Sequence, residues 1–185
     1  MAKNPTTQEV IHAAKVQINA SIETVFDLLD LSKPTNRLIA RGFQIEAENR
    51  DSNRFHATHA DLPVRFQFDV LDRQFPQTYT YTTRTRGRKV SHAKLGRTHY
   101  TLQRETAVSC SVVLEETTVY PGDTLPLIVE NETRIMELSI RQDLEKLKLQ
   151  AENGGGAVPW STVSERETEE IDDLLDGIEA AEATG

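Results

Sequence analysis

The chain has 185 residues, of which 27% are charged and 37% hydrophobic, with a formal net charge of −8. This length allows one domain with an appendage but not two hydrophobic cores. No apolar run approaches the roughly 18 residues that a membrane-spanning helix needs. A single cysteine, Cys110, excludes an intrachain disulfide and a thiolate metal cluster.

The negative charge belongs to the C-terminal part of the chain. Residues 152–185 contain ten acidic side chains and one basic side chain, whereas residues 1–151 contain 19 acidic and 20 basic ones. This asymmetry predicts a nearly neutral body with an acidic tail. The first residues lack the apolar core of a secretory signal. Together with the single cysteine, this leads us to expect a cytoplasmic location.

The N-terminal segment predicts a strand followed by two short helices. Apolar and polar residues alternate within residues 10–20, which is the period of a half-buried strand. Ser21 has the character of a helix N-cap, and the apolar residues after it follow helical spacing. Pro34 is compatible with a first helical turn, so a second short helix is expected over residues 34–40, with Gly42 ending it.

Residues 43–120 have the pattern of a run of antiparallel strands, because apolar and polar residues alternate repeatedly between polar breaks. Gly87 and Gly96 are interpreted as turn positions. In the last strand we expect one buried face formed by Val108, Cys110, Val112 and Leu114. The predicted strands are residues 43–47, 55–60, 66–70, 79–85, 99–103 and 108–116.

After residue 121 the apolar period changes from two to about 3.6 residues. Apolar side chains then repeat at steps of three or four, which predicts one long amphipathic helix. It starts after Pro126 and ends at Gly154–Gly156, since three glycines disfavour helix. The stripe consists of Met136, Ile140, Leu144, Leu147 and Ala151.

Two segments resemble a known superfamily. Residues 16–29, VQINASIETVFDLL, are similar to its opening strand and helix, and residues 141–148, RQDLEKLK, look like its closing helix. Over about residues 10–152 the chain thus resembles the START-related helix-grip superfamily, or SRPBCC, in its polyketide cyclase/dehydrase-like and lipid-transport-like branch. The resemblance implies an α+β helix-grip fold, a curved antiparallel sheet around a long C-terminal helix. Residues 1–9 would be an N-terminal extension, and the composition of residues 153–185 predicts a disordered, flexible acidic tail with one possible short amphipathic helix.

The resemblance also implies a function. In many members the space between sheet and helix holds a hydrophobic small molecule, so binding or transport of a hydrophobic or amphipathic ligand is the leading expectation. An enzyme of the polyketide cyclase/dehydrase type would use the same pocket, with His59, His99 or a tyrosine as acid or base. Each candidate lining residue would also suit an ordinary core. The candidates are Phe66, Phe68, Tyr81, Tyr100, Met136 and Ile140.

No motif requires a metal or a cofactor. The histidines do not form a close helical pair, and neither a phosphate-binding glycine loop nor a nucleophile motif is present in the sequence. We therefore expect no metal site and no cofactor.

A basic stretch precedes Glu105. Its residues are Arg84, Arg86, Arg88, Lys89, Lys94, Arg97 and Arg104. On a strand the first three share one face, which predicts a basic rim near the cavity mouth that orients an acidic head group. A solvated sheet face is the alternative. Nucleic acid is not expected as a partner, because the body is nearly neutral and aromatic residues near this stretch are sparse.

The acidic tail contains a narrow apolar stripe at i, i+3, i+4 and i+7. Such spacing is typical of a docking helix. It predicts contact with a protein partner or with the chain's own basic strands, and an adaptor acting through its tail is a further functional hypothesis. Solubilising disorder is the alternative. The stripe consists of Ile171, Leu174, Leu175 and Ile178.

Overall fold

The computed structural model describes residues 7–62, 64–87, 91–156 and 165–184. The predictions for Arg88 and Lys89, and for the side chain of Arg86, lie outside this part of the chain. Within it, seven strands form one antiparallel sheet in the order β1-β7-β6-β5-β4-β3-β2. The strands are β1 Thr7–Ile18, β2 Gln44–Ala47, β3 Arg54–Thr58, β4 Val64–Gln74, β5 Thr78–Gly87, β6 Leu95–Thr106 and β7 Ser109–Pro121, and the helices are α1 Ile22–Leu29, α2 Arg37–Ala40, α3 Pro126–Glu152 and α4 Glu165–Thr184.

The sheet is curved and open, and α3 lies along its concave face, as the helix-grip expectation requires. One hydrophobic core unites that face with α1 and α3. The α3 stripe supplies Ile140, Leu144, Leu147 and Ala151, all buried, while Met136 is partly buried against the same core. The predicted fold class is confirmed, and the six strands expected between residues 43 and 120 are β2 to β7.

The short helices begin where side chains cap them. Ser21 is the N-cap of α1, and its Oγ accepts a hydrogen bond from the Thr24 N–H at 3.2 Å. For α2 the expected start at Pro34 is wrong by three residues. Asn36 is the N-cap instead, because its Oδ1 accepts the Leu38 N–H at 2.9 Å, and Pro34 lies in the preceding turn.

Two positions in the strand region differ from expectation. Gly96 lies inside β6, paired with Thr83 and Thr118, and is not in a turn. Val108 lies in the turn between β6 and β7 and is 72% exposed, so it does not join the buried face formed by Cys110, Val112 and Leu114. In both cases strand register, which the local pattern does not contain, decided the position.

The tail contains more helix than the expected mostly unstructured segment with one possible short helix, because residues 165–184 form a helix that packs on α3. Ile178 and Ala181 are buried against Ile128 and Ile135 of α3. The tail therefore docks on α3 and not on the basic strands.

The remaining members of the tail stripe contribute unequally. Ile171 and Leu174 are half-buried, and Leu175 is 44% exposed. A role of this stripe toward a partner protein stays a prediction. Among the described residues, no helix has the length and apolar character needed to cross a membrane.

Candidate functional site

Strand alternation points a defined set of side chains at α3. In β7 the even-numbered residues Cys110, Val112 and Leu114 enter the core, and the same alternation carries Glu116 and Thr118 onto the concave face. Glu116 pairs with His12 on one side and Thr98 on the other, and all three side chains face the same way. The concave face is thus apolar toward one end and polar near its middle.

An aromatic row crosses this face. It consists of Phe43, Phe66, Phe68, Tyr81 and Tyr100, and successive ring centroids are 5.9, 6.4, 5.4 and 6.4 Å apart. Phe43 and Phe66 at the outer end are half-buried, whereas the other three rings are buried. Four predicted lining residues therefore lie side by side, and Met136 and Ile140 of α3 pack against the same core. Their role toward a ligand stays a prediction.

At its inner end the row meets buried charged groups. We call Arg37, Arg41, Tyr100, Glu116 and Asp143 the polar cluster. Arg37 Nη1 donates to Asp143 Oδ2 at 2.5 Å, Arg41 Nη1 donates to Asp143 Oδ1 at 2.9 Å, and Arg37 Nη2 donates to the Tyr100 hydroxyl at 2.6 Å. That hydroxyl donates in turn to Asp143 Oδ2 at 3.3 Å. Asp143 is therefore held between two guanidinium groups.

This arrangement sets the charge state of the pair. Burial opposes ionisation of Asp143, but the charges and hydrogen bonds of Arg37 and Arg41 outweigh it and lower its pKa to about 2. Burial likewise disfavours the charged form of Arg37, and Asp143 more than compensates, so the pKa of Arg37 is raised. The pKa of Tyr100 is raised, chiefly by burial. At neutral pH the arginines and Asp143 are charged and Tyr100 is neutral.

Glu116 behaves differently. Burial, reinforced by the negative charge of Asp143 and opposed by Arg37, raises its pKa to about 7. Among the described residues its carboxyl group has no hydrogen-bond partner and no ion pair. A Cβ atom placed on Gly96 would lie 3.6 Å from Glu116 Oε1, so the absent side chain of Gly96 leaves room beside this carboxyl.

Four buried side-chain atoms have no hydrogen-bond partner among the described residues, namely Asp27 Oδ1, Arg41 Nη2, His56 Nδ1 and Thr118 Oγ1. Thr118 pairs with Gly96 across the sheet, next to Glu116. Buried polar atoms are almost always hydrogen-bonded in proteins. Two of the four lie in or next to the polar cluster, because Arg41 bonds Asp143 and Thr118 lies two residues after Glu116 in β7.

The two candidate histidines of the enzyme hypothesis lie elsewhere. His99 faces the convex side, where its Nδ1 and Nε2 contact the hydroxyls of Thr80 and Thr101 at 2.6 and 3.1 Å. In His59, Nδ1 accepts the Asp61 N–H at 3.1 Å and Nε2 lies 3.2 Å from the Arg41 carbonyl. Both nitrogens of each ring already have partners. The expectation that either acts as acid or base in the pocket is therefore not supported by this geometry.

Of the predicted basic residues, those whose side chains the structure describes do not form a rim on the concave face. Arg84 and Arg97 are exposed on the convex face, since strand alternation places them opposite Tyr81 and Tyr100. Arg104 forms an ion pair with Glu23 of α1. Positive charge reaches the concave face from α2 instead, through Arg37 and Arg41.

Sequence reasoning missed Arg37, Arg41, Glu116 and Asp143. A signal was present for two of them. Glu116 continues the alternation of Cys110, Val112 and Leu114, and Asp143 falls three residues after Ile140 on the buried stripe of α3. A charged residue at a position that the pattern marks as buried was the available clue. For the arginines of α2 the sequence contains no comparable signal.

A separate depression of about 180 Å³ lies between β1 and α3. It is bordered by Ile11, His12, Ala13, Glu137, Ile140 and Arg141. His12 Nδ1 lies 4.0 Å from Glu137 Oε1 there. Ile140 therefore borders this depression as well as the core.

No model of a protein family matches the sequence, and no curated protein does. Solved structures do resemble it. An uncharacterized protein from Rhizobium leguminosarum is 14% identical with a TM-score of 0.59, over 82% of this chain and 99% of that one. Ara h 8.0201 is 13% identical with a TM-score of 0.58, over 80% of this chain and 98% of that one.

DynU16, a protein of the dynemicin biosynthetic locus, is 11% identical with a TM-score of 0.56. The match covers 78% of this chain but 48% of DynU16. At such identities the likeness concerns the fold alone.

Proposed function

We propose that this protein binds a hydrophobic or amphipathic small molecule between the concave face of its sheet and α3. The observation that carries the proposal is the meeting of the aromatic row with buried polar groups that lack partners. An apolar ligand body would lie along Phe66, Phe68 and Tyr81. Its polar end would reach the polar cluster.

The energetics favour a ligand over an ordinary core. Leaving a buried donor or acceptor unpaired costs about 1–3 kcal/mol, and Arg41 and Thr118 each carry such an atom. A core selected only for stability would place apolar side chains there. A ligand that satisfies these groups also removes its own apolar surface from water, at about 25 cal/mol per Å².

The helix-grip fold supports the proposal as an analogy. In this architecture a strongly curved sheet and one long helix enclose space that side chains need not fill. The resemblance of residues 16–29 and 141–148 to the START-related superfamily points the same way.

A steric block tests the proposal. Gly96→Val adds a branched side chain whose Cβ would lie 3.6 Å from Glu116 Oε1, and valine is a residue that favours strands. Gln103→Val is the matched control, because Gln103 lies in the same strand on the exposed convex face. Fluorescence titration with cis-parinaric acid, a long-chain polyene, measures binding by the full chain. Circular dichroism checks the fold of each variant.

We expect the wild-type chain and Gln103→Val to bind alike and Gly96→Val to lose at least tenfold in affinity while staying folded. Native mass spectrometry of the purified protein should also find an apolar molecule bound. Absence of binding by the wild-type chain in both measurements would overturn the proposal. Equal binding by folded Gly96→Val would show that the site is elsewhere.

We give an acid–base enzyme using the same interior as a second candidate, favoured by Glu116 alone. A carboxyl with a pKa of about 7 can accept and release a proton at neutral pH. Such a group would exchange the α-protons of a bound ketone for deuterium. NMR of 2-tridecanone in D₂O with the wild-type chain and with Glu116→Gln measures this. Exchange that does not depend on Glu116 would refute the enzyme.

A further inference from the structure

Resting on the proposed function, we infer that the ligand carries one acidic oxygen group, such as a carboxylate, and that this group binds at Arg37 and Arg41 when Glu116 is protonated. Binding would therefore be accompanied by uptake of one proton. The charge count and the hydrogen-bonding groups of the polar cluster lead to this inference independently.

The charge count depends on Glu116. Arg37 and Arg41 stay protonated at all accessible pH values, and Asp143 neutralises one of these two charges. With Glu116 ionised, the charges of Arg37, Arg41, Asp143 and Glu116 sum to zero, and the attraction for an anion is at its weakest. With Glu116 protonated, one positive charge is in excess, and one monoanionic group would neutralise it.

The unpaired groups suit a carboxylate. Arg41 Nη2 is buried and has no acceptor among the described residues, and the Thr118 hydroxyl is likewise unpaired in that part of the chain. Protonated Glu116 adds an O–H donor. An acceptor-only carboxylate takes several donors, whereas an ester or a hydroxyl leaves the charge of the second guanidinium unbalanced.

The charged and titratable groups that face Glu116 do not replace it as the group that takes up the proton on binding. These are His12 from β1, Tyr81 from β5, Tyr100 from β6, Arg37 from α2 and Asp143 from α3. Burial lowers the pKa of His12, against the influence of Glu137, and raises those of both tyrosines.

Lys146, one turn after Asp143, is the remaining neighbour of the cluster. Its pKa is lowered, first by burial and then by Arg41, with Asp143 opposing. Any charge it retains adds to the attraction for an anion. Of these groups, Glu116, with its pKa raised to about 7 by burial, is the one that titrates near neutral pH.

The sign of the pH dependence follows. Above pH 7 Glu116 must take up a proton before the acid binds, so the dissociation constant should rise, reaching a slope of about tenfold per pH unit well above the pKa of Glu116. Below pH 7 it should level off, as long as the ligand's own carboxyl, with an ordinary pKa of about 4–5, stays ionised. A neutral ligand should show no such dependence.

The experiment compares cis-parinaric acid with its methyl ester at micromolar concentration, at pH 6, 7 and 8, using the full chain. We expect the acid to bind more tightly than the ester at pH 6 and to lose about fivefold in affinity between pH 7 and 8, since Glu116 is already half ionised at pH 7. Glu116→Gln, a neutral isostere, should keep tight acid binding at all three pH values. Glu115→Gln is the matched control, since Glu115 is exposed on the convex face.

The outcomes separate the two proposals. If the ester binds as tightly as the acid, or if the acid binds better at pH 8, the inference fails while the proposed function stands. Persistence of the pH dependence in folded Glu116→Gln also overturns the inference. If neither compound binds to the wild-type chain, both proposals fail.

Discussion

Asp143 holds two buried guanidinium groups, and Asp143→Asn measures how far the fold depends on its charge. The substitution keeps the shape of the side chain but removes the counter-ion of Arg37 and Arg41. Removing one partner of a buried ion pair costs about 3–5 kcal/mol, because the other charge stays buried. The asparagine oxygen still accepts one hydrogen bond, so we expect a loss of roughly 3 kcal/mol.

The pH dependence of the free energy of unfolding gives a second measure of the contribution of Asp143. The pKa of Asp143 is lowered from 3.8 to about 2 in the folded chain. Each pKa unit corresponds to about 1.4 kcal/mol, so ionised Asp143 contributes about 2 kcal/mol of stability. Because the folded pKa is the lower one, this contribution is complete above about pH 4 and is lost as pH falls toward 2. Asp143→Asn should lack that part of the acid dependence.

Urea unfolding followed by circular dichroism, at pH 7 and at intervals down to pH 2, measures both effects. Glu145→Gln is the control, since Glu145 is exposed on the same helix, and it should change the free energy of unfolding by less than about 0.5 kcal/mol. If Asp143→Asn matches this control at pH 7, or retains the wild-type acid dependence, the account of the polar cluster is refuted.

Three further predictions concern the body and the tail. Gly42→Ala should lower the free energy of unfolding by about 1–2 kcal/mol in urea, because Gly42 has φ of +90° and its Cβ would lie 2.9 Å from His59 Nε2; an unchanged midpoint would contradict this. Tyr79→Phe should cost about 1–3 kcal/mol in the same assay, since the hydroxyl accepts the buried Leu31 N–H at 3.0 Å; a neutral result would mean that this N–H finds another acceptor. Ile178→Asp should release α4 from α3 and speed amide hydrogen exchange in residues 165–184 while the strands keep their protection; a loss of protection throughout the sheet would show that the tail belongs to the core.

The sequence determined the elements of this fold because the spacing of apolar residues within a segment indicates a strand or a helix. Apolar residues alternate over residues 66–70 and are spaced by three or four after residue 136. These spacings indicate which side of a strand or helix is buried, because apolar side chains pack in the core. The same alternation brought Phe66, Phe68, Tyr81 and Tyr100 onto one face. These predictions required no knowledge of which strand pairs with which.

Tertiary structure alone decided the polar cluster. Arg37 and Asp143 are 106 residues apart in the chain and bond at 2.5 Å, because α2 and α3 both lie where these side chains reach Tyr100 of β6. The spacing of residues in the sequence does not predict which charged side chains will pair, because pairing depends on distance and burial in three dimensions. The docking of Ile178 on α3 has the same origin, since an amphipathic stripe indicates that a face will be covered but not what covers it.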